Sequence, residues 1–305
     1  MPPNTSDIAP SAAVSSLHTT TKAPSPSATW QWKDVPTRML DVDGTAFAYR
    51  QLGPDSTVPV VFLHHLMATL DDWDPRLIDG IAAQRQVIAF DNRGVGASQG
   101  LVPANIDEMA RDAIAFIRAM KLEQVDLLGF SMGGGVAQSM ALQAPGLIRR
   151  LVLTGTGPRG GGGIDKVTKV AVLAYLKAAL TWSDARNFLF FPRTSDGKRA
   201  AQDYFARLAE RSKDRDKTIS LQARLAQLKA IRHWGLSDPD DLSDIEQPVL
   251  LANGDNDLMV DSQLSVEMAR RLPNAHVTLF PNSGHGGIFQ YHRAFVPAVL
   301  KFLTD

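Results

Sequence analysis

Residues 124–144 read QVDLLGFSMGGGVAQSMALQA, and this stretch decides the fold. Residues 124–129 are a short apolar run with the character of a buried strand, and from 132 to 144 the pattern is helical. Between them stands Gly129-Phe130-Ser131-Met132-Gly133. So sharp a turn from strand to helix forces its central residue into strained positive-φ geometry. Glycines two positions to either side remove side chains that would collide there. The Ser131 hydroxyl is thereby lifted clear of the backbone, above a helix N-terminus whose dipole favours negative charge. By itself Gly-x-Ser-x-Gly also describes an ordinary glycine-rich turn capped by a serine; the flanking strand and helix give it weight.

Outward from this turn, short β-branched runs alternate with helical stretches from Trp30 onward, the signature of βαβ units on a mostly parallel, doubly wound sheet. Residues 37–50 read as a hairpin turning near Asp43-Gly44. Strands are predicted at Val58–Leu63, Gln86–Phe90, Val125–Leu128, Leu151–Thr154, Val249–Ala252 and Val277–Phe280, with helices near 105–121, 132–144, 261–272 and 289–303. The rhythm breaks over 158–245, which begins with four glycines, Gly160 to Gly163, and continues in amphipathic helices such as 198–212 and 218–231. A helical insertion between two strands of a parallel sheet must sit over one of its ends, so it reads as a cap, or lid, on a core made of 30–157 and 246–305. Residues 1–29 are dominated by Pro, Ser, Thr and Ala and are expected to be disordered, with too little apolar surface to offset ordering entropy.

A serine is a weak nucleophile at neutral pH and needs a base, which in turn needs an orienting acid. Both follow predicted strands downstream: Gly254-Asp255-Asn256-Asp257 and Ser283-Gly284-His285. Loops beyond the carboxyl ends of parallel strands are where open α/β sheets place their chemistry. The candidate catalytic residues are therefore Ser131, His285 and Asp257, with Asp255 as the alternative acid.

With the Ser131 turn, the Asp91–Ser98 loop, the Gly254–Asp257 turn and the Ser283–His285 loop, the chain resembles the α/β-hydrolase fold superfamily over 37–304. The resemblance implies a Ser-His-Asp hydrolase with a helical lid, similar to small bacterial esterases and cofactor-free haloperoxidases. It also implies that the acid falls on the last position of the Gly-x-x-Asp turn, Asp257. Family members usually carry His-Gly after the third strand, followed by the residue whose amide receives the oxyanion. Here the sequence is His64-His65-Leu66-Met67. The implied donors are the amides of Leu66 and Met132, with Met67 replacing Leu66 if the alignment shifts by one. His65 in place of glycine sets a bulky, titratable side chain beside the site, although packing and loop hydrogen bonds are the ordinary employment of such histidines.

Other polar clusters read as structural. Gly94 and Gly96 make tight turns while Asp91 and Arg93 tie their loop down. His276 belongs on a strand, and His18, His233 and His292 on the surface. Asp238–Asp241 and Lys213–Lys217 are expected to be solvated loops, and no metal-ligand spacing or phosphate-loop motif is present. The insertion is rich in aromatics. Most should pack it onto the sheet, while some, Trp182 and Phe190 with His65 among them, are expected to line the site and select an apolar or aromatic ester or lactone.

Thirty-two basic and 32 acidic side chains cancel over 305 residues, so no net field favours nucleic acid or an anionic membrane surface. No apolar run is long enough to span a bilayer, and the absence of Cys removes disulfides, thiolate nucleophiles and Cys-ligated metals. The expected protein is a cytoplasmic enzyme, monomer or homodimer, acting on a small molecule without cofactor or metal. Two other readings use the same residues: transfer of the acyl group to peroxide, or a binding protein that keeps the fold without turnover.

Overall fold

The sheet begins with a hairpin, β1 (Arg38–Val42) and β2 (Thr45–Leu52), that turns through Asp43 and Gly44. Both turn residues have positive φ, 50° and 82°, as a two-residue loop matched to the strand twist requires. The computed structural model describes residues 31–55 and 58–304; the disorder expected of 1–29 concerns residues outside these. Strands and helices then alternate: β3 (Val60–Leu63), α1 (Pro75–Ala82), β4 (Val87–Phe90), α2 (Ile106–Ala119), β5 (Val125–Phe130), α3 (Met132–Gln143) and β6 (Ile148–Thr154). Four helices follow before the sheet resumes: α4 (Val167–Leu180), α5 (Arg186–Leu189), α6 (Ser195–Leu208) and α7 (Leu221–Leu236). The chain ends with β7 (Val249–Gly254), α8 (Ser262–Arg271), β8 (Ala275–Phe280), α9 (Gly287–Gln290) and α10 (His292–Thr304).

The eight strands form one sheet in the order β1-β2-β4-β3-β5-β6-β7-β8. β2 is antiparallel to β1 and β4, and all other neighbours are parallel. Every residue of β3, β4, β5 and β7 is buried, which is why β3 and β4 read in sequence as unbroken apolar runs and why Asp126 on β5 is matched by Arg85 and Arg149. At the edge, β8 is largely exposed, and His276 faces solvent there. Winding reverses at β3: the chain passes to β4 on one side and returns to β5 on the other. The loops after β3 and β5 diverge and leave a crevice at the carboxyl ends of the strands.

Three departures from the sequence reading have local causes. β6 begins at Ile148 because Arg149 and Arg150, which interrupt the apolar run, continue the strand; Arg149 pairs with buried Asp126 at 2.6 and 2.8 Å. The expected helix 289–303 is two helices broken at Tyr291. No helix was expected at α1, although its signals are present: Asp74 caps it by accepting from the Arg76 amide at 3.0 Å, and Pro75 occupies the first turn.

The helices between β6 and β7 are fastened to the rest of the fold by charge. The Arg207 guanidinium grips Asp74 with contacts of 2.6, 2.9 and 3.0 Å, and Arg186 meets Asp72 at 2.5 Å. The run Lys213–Lys217 is not the freely solvated loop its charges suggested. Asp216 donates its amide to Asp71 at 2.8 Å, accepts from the Asp71 amide at 3.1 Å and pairs with Arg50, which is fully buried, at 3.3 Å. Burial pushes the Asp216 carboxyl up to about 6.

Candidate active site

The turn from β5 into α3 is held in a conformation that a serine adopts only under constraint. Ser131 has φ 56° and ψ −116°, in strained territory worth about 1–3 kcal/mol. Its amide donates to the Thr154 carbonyl at 2.8 Å, and its carbonyl accepts from the Gly134 amide at 2.8 Å, so the neighbouring strand and the new helix fix the residue from both sides. A Cβ at Gly129 would overlap the Gly133 carbonyl, and one at Gly133 would overlap that of Leu63. Although Ser131 occupies the N-cap position of α3, its hydroxyl makes no cap bond. The oxygen is thus committed to nothing within its own helix and faces a cavity of about 510 Å³ whose wall it shares with His285.

His285 Nδ1 lies 2.7 Å from Asp257 Oδ2, with both residues buried. The other oxygen of Asp257 accepts the amides of Met259 at 2.8 Å and Val260 at 3.1 Å, which fixes the carboxylate before the imidazole reaches it. The Phe130 ring, 5.0 Å away, and the Phe190 ring, 5.6 Å away, flank the imidazole. Asp255 does not take part in this contact: it is exposed and accepts the Ser283 amide at 3.3 Å. The tips after β7 and β8 thus meet through Asp257 and His285, and Ser131, after β5, lines the same cavity as His285.

Opposite them runs the loop after β3. The Met67 amide donates to Gln227 Oε1 of α7 at 2.7 Å, so the one-residue shift that would make Met67 the oxyanion donor is contradicted by this bond. The amides of Leu66 and Met132 have no acceptor among the described residues. His65 Nδ1 lies 2.9 Å from the Leu66 carbonyl, to which it donates, and its ring packs on Phe130 and Phe190 at 5.1 and 5.3 Å. Its φ is not positive, so the backbone has no need of glycine here. Burial lowers the His65 pKa to about 4, leaving a neutral ring whose buried Nε2 has no partner. Burial, with His65 adding to it, brings His64 to about 3.

Phe190 is buried in the cavity wall, and its carbonyl accepts the Gly286 amide at 3.0 Å, next to His285. Trp182 is elsewhere: it is 98% exposed and does not line the cavity, so the expectation that it contacts substrate is corrected. Nor is the cavity the apolar sleeve that the aromatic supply suggested. Ala171, Ala178, Leu189 and Met259 line part of it, and charged side chains from both the core and the insert line the rest. On its other side Ser131 borders an apolar crevice of about 30 Å³ between Met132, Ile231, Trp234 and Val260. The Asp91 loop is structural as expected: Asp91 accepts the amides of Leu70 at 2.9 Å and Ala97 at 3.2 Å, and Arg93 pairs with Asp112 at 2.8 Å. Sequence reasoning missed Gln227 and the charged wall, because a glutamine on an amphipathic helix and a run of surface-like charges carry no signal of their own.

A mostly parallel sheet with a serine on a strained strand-to-helix turn defines a class, and the chain belongs to it: the alpha/beta hydrolase fold family, matched over residues 58–290. A solved alpha/beta hydrolase fold protein from Chitinophaga pinensis superposes with a TM-score of 0.87 at 36% identity, covering 90% of this chain and all (100%) of that one. Among curated proteins, a non-heme chloroperoxidase from Streptomyces lividans is 28% identical over 86% of this chain and 98% of its own. An sn-1-specific diacylglycerol lipase from Mus musculus is 26% identical over 87% of both chains. No helix among the described residues is long and apolar enough to cross a membrane.

Proposed function

We propose that the protein is a serine hydrolase that cleaves a small to medium carboxylic ester or lactone through an acyl-enzyme. The observation that carries this reading is the uncommitted hydroxyl of Ser131, set on a strained turn in the wall it shares with an imidazole held by Asp257. With Nδ1 of His285 engaged, Nε2 takes the Ser131 proton as the oxygen attacks the carbonyl carbon. Asp257 keeps the tautomer and stabilises the imidazolium. The amides of Leu66 and Met132 receive the oxyanion, each donor being worth about 10²–10³ in kcat in comparable sites. His285 returns the proton to the leaving alcohol, then deprotonates water, which releases the acid and restores the serine.

In this reading the insert, 158–245, is a lid on the core formed by 30–157 and 246–305, and Phe190 and the apolar part of the wall hold the acyl chain. His65 offers its unpartnered Nε2 to a donor on the substrate. Ser131→Ala is expected to abolish ester turnover, and removal of His285 to be similarly severe. Wild-type hydrolysis by Ser131→Ala, followed with p-nitrophenyl esters, contradicts the assignment.

The kinship to a chloroperoxidase favours one second reading, in which peroxide replaces water as acceptor. Peroxide attacks the acyl-enzyme carbonyl, the bond to Ser131 Oγ breaks, and a peracid leaves. Peracid formation from carboxylate and hydrogen peroxide, lost in Ser131→Ala, distinguishes it from plain hydrolysis.

A further inference from the structure

The cavity beside Ser131 is lined by four cations, and two of them have no carboxylate partner among the described residues. Four carboxylates line it, and each meets an arginine. Asp72 and Asp184 both hold Arg186, at 2.5 and 2.8 Å. Asp71 takes Arg50 at 2.8 Å, Arg211 at 3.4 Å and Arg215 at 3.5 Å, while Asp216 takes Arg50 at 3.3 Å. Two cations of the same wall are left over. Arg224, half-buried in the first turn of α7, makes one hydrogen bond, from Nε to the Ile219 carbonyl at 3.2 Å, and has no carboxylate partner among the described residues. Lys217, seven residues earlier on the cavity rim, is exposed and likewise unpaired among the described residues. Because Nε is engaged, the guanidinium's orientation is fixed and its two terminal nitrogens form a free fork, the geometry that takes a carboxylate in a bidentate manner.

We infer that the substrate bears an anionic group, a carboxylate, separated from the scissile ester by an apolar chain, and that Arg224, assisted by Lys217, binds it. This rests on the hydrolase reading above and adds the substrate class to it. The apolar wall residues and the charged far wall then have separate tasks: the first holds the chain, the second fixes its end. Arg186 is excluded from this task because two carboxylates already occupy it, and Arg215 because it is turned to Asp71 and to the Arg211 carbonyl, 3.2 Å from its Nη1.

The test compares p-nitrophenyl hexanoate with mono-p-nitrophenyl adipate, and the corresponding pairs for suberate and sebacate, each corrected for spontaneous hydrolysis. The full-length wild-type protein is expected to favour the half-ester at least tenfold in kcat/KM at one chain length, chiefly through a lower KM. In Arg224→Gln, and further in Arg224→Gln with Lys217→Gln, the ratio of half-ester to neutral ester should fall to near one, while Arg224→Lys keeps part of it. Because the ratio is internal to each preparation, partial misfolding of a variant cancels. A wild-type preference for the neutral ester at every chain length, or a half-ester preference that survives in the double variant, overturns the inference. If neutral esters turn over and these outcomes are seen, only the substrate class is wrong. If no ester is cleaved and a serine-directed phosphonate leaves Ser131 unmodified, the hydrolase reading fails and this inference falls with it.

Discussion

Replacing Gln227 by leucine separates the role of the loop after β3 from that of the rest of the site. The side chain is fully buried on α7, its Oε1 accepts the Met67 amide at 2.7 Å, and Met67 has a positive φ of 60°. Leucine matches the volume but offers no acceptor, so the Met67 N–H loses its partner at a cost of about 1–3 kcal/mol. The loop can recover that energy only by rotating the His65–Met67 peptides toward another acceptor or solvent. Such a rotation turns away the neighbouring Leu66 amide. Losing one oxyanion donor outright lowers kcat by about 10²–10³, so partial misalignment should lower it about 10- to 100-fold. KM for a neutral ester should stay within about threefold, since ground-state binding does not use this amide. Gln227→Glu, which keeps an acceptor, should recover part of the loss. Steady-state kinetics with thermal melts on each variant decide the matter. A lower melting temperature with wild-type kcat in Gln227→Leu refutes the reasoning and leaves the Met67 bond merely structural.

Arg207→Met should remove the only ion partner that buried Asp74 has among the described residues, costing about 3–5 kcal/mol in urea unfolding; adding Asp74→Asn, which keeps the cap on α1 without the charge, should restore much of it. The contribution of His64 and His65 to stability should fall as pH drops below about 6.5, because unfolding frees them to bind protons they refuse when folded, where their pKa values are about 3 and about 4. Each contributes about 1.4 kcal/mol per pH unit in that window. Asp79 and Asp216, both raised to about 6 by burial, act in the opposite direction: they stabilise the protonated fold and lose that contribution as pH rises through about 6. The difference between wild type and His64→Asn isolates one histidine, and equal slopes of unfolding free energy between pH 6 and 4.5 would contradict the assignment.

The parts legible in the sequence are those where one residue type is locally obligatory. A strand buried on both faces is apolar wherever no partner compensates a polar group, so β3 and β4, and β5 and β7 apart from Asp126 and Asn253, showed themselves, and the Ser131 turn showed itself because Gly129 and Gly133 leave no room for a Cβ. What stayed hidden depends on meetings across the chain. Gln227 acts on a loop 160 positions away, and Arg50 on β2 gathers Asp71 and Asp216 from two other segments. Composition misled at the insert: Trp182 looked like a pocket aromatic and is 98% exposed, whereas α4 turns Ala171, Ala174 and Ala178 inward and Leu173, Leu176 and Leu180 outward. The net charge of zero conveyed nothing about the cavity, because pairing there is local and leaves Arg224 over.

Exposure of the intact protein to a fluorophosphonate, read by whole-protein mass and peptide mapping, addresses the central assignment at a single atom. One adduct on Ser131 is expected in the wild type, none in Ser131→Ala, and a rate reduced by orders of magnitude in His285→Ala. An unmodified Ser131, or equally fast labelling without the imidazole, would show that the hydroxyl is not activated and that the site described here does not perform acyl transfer.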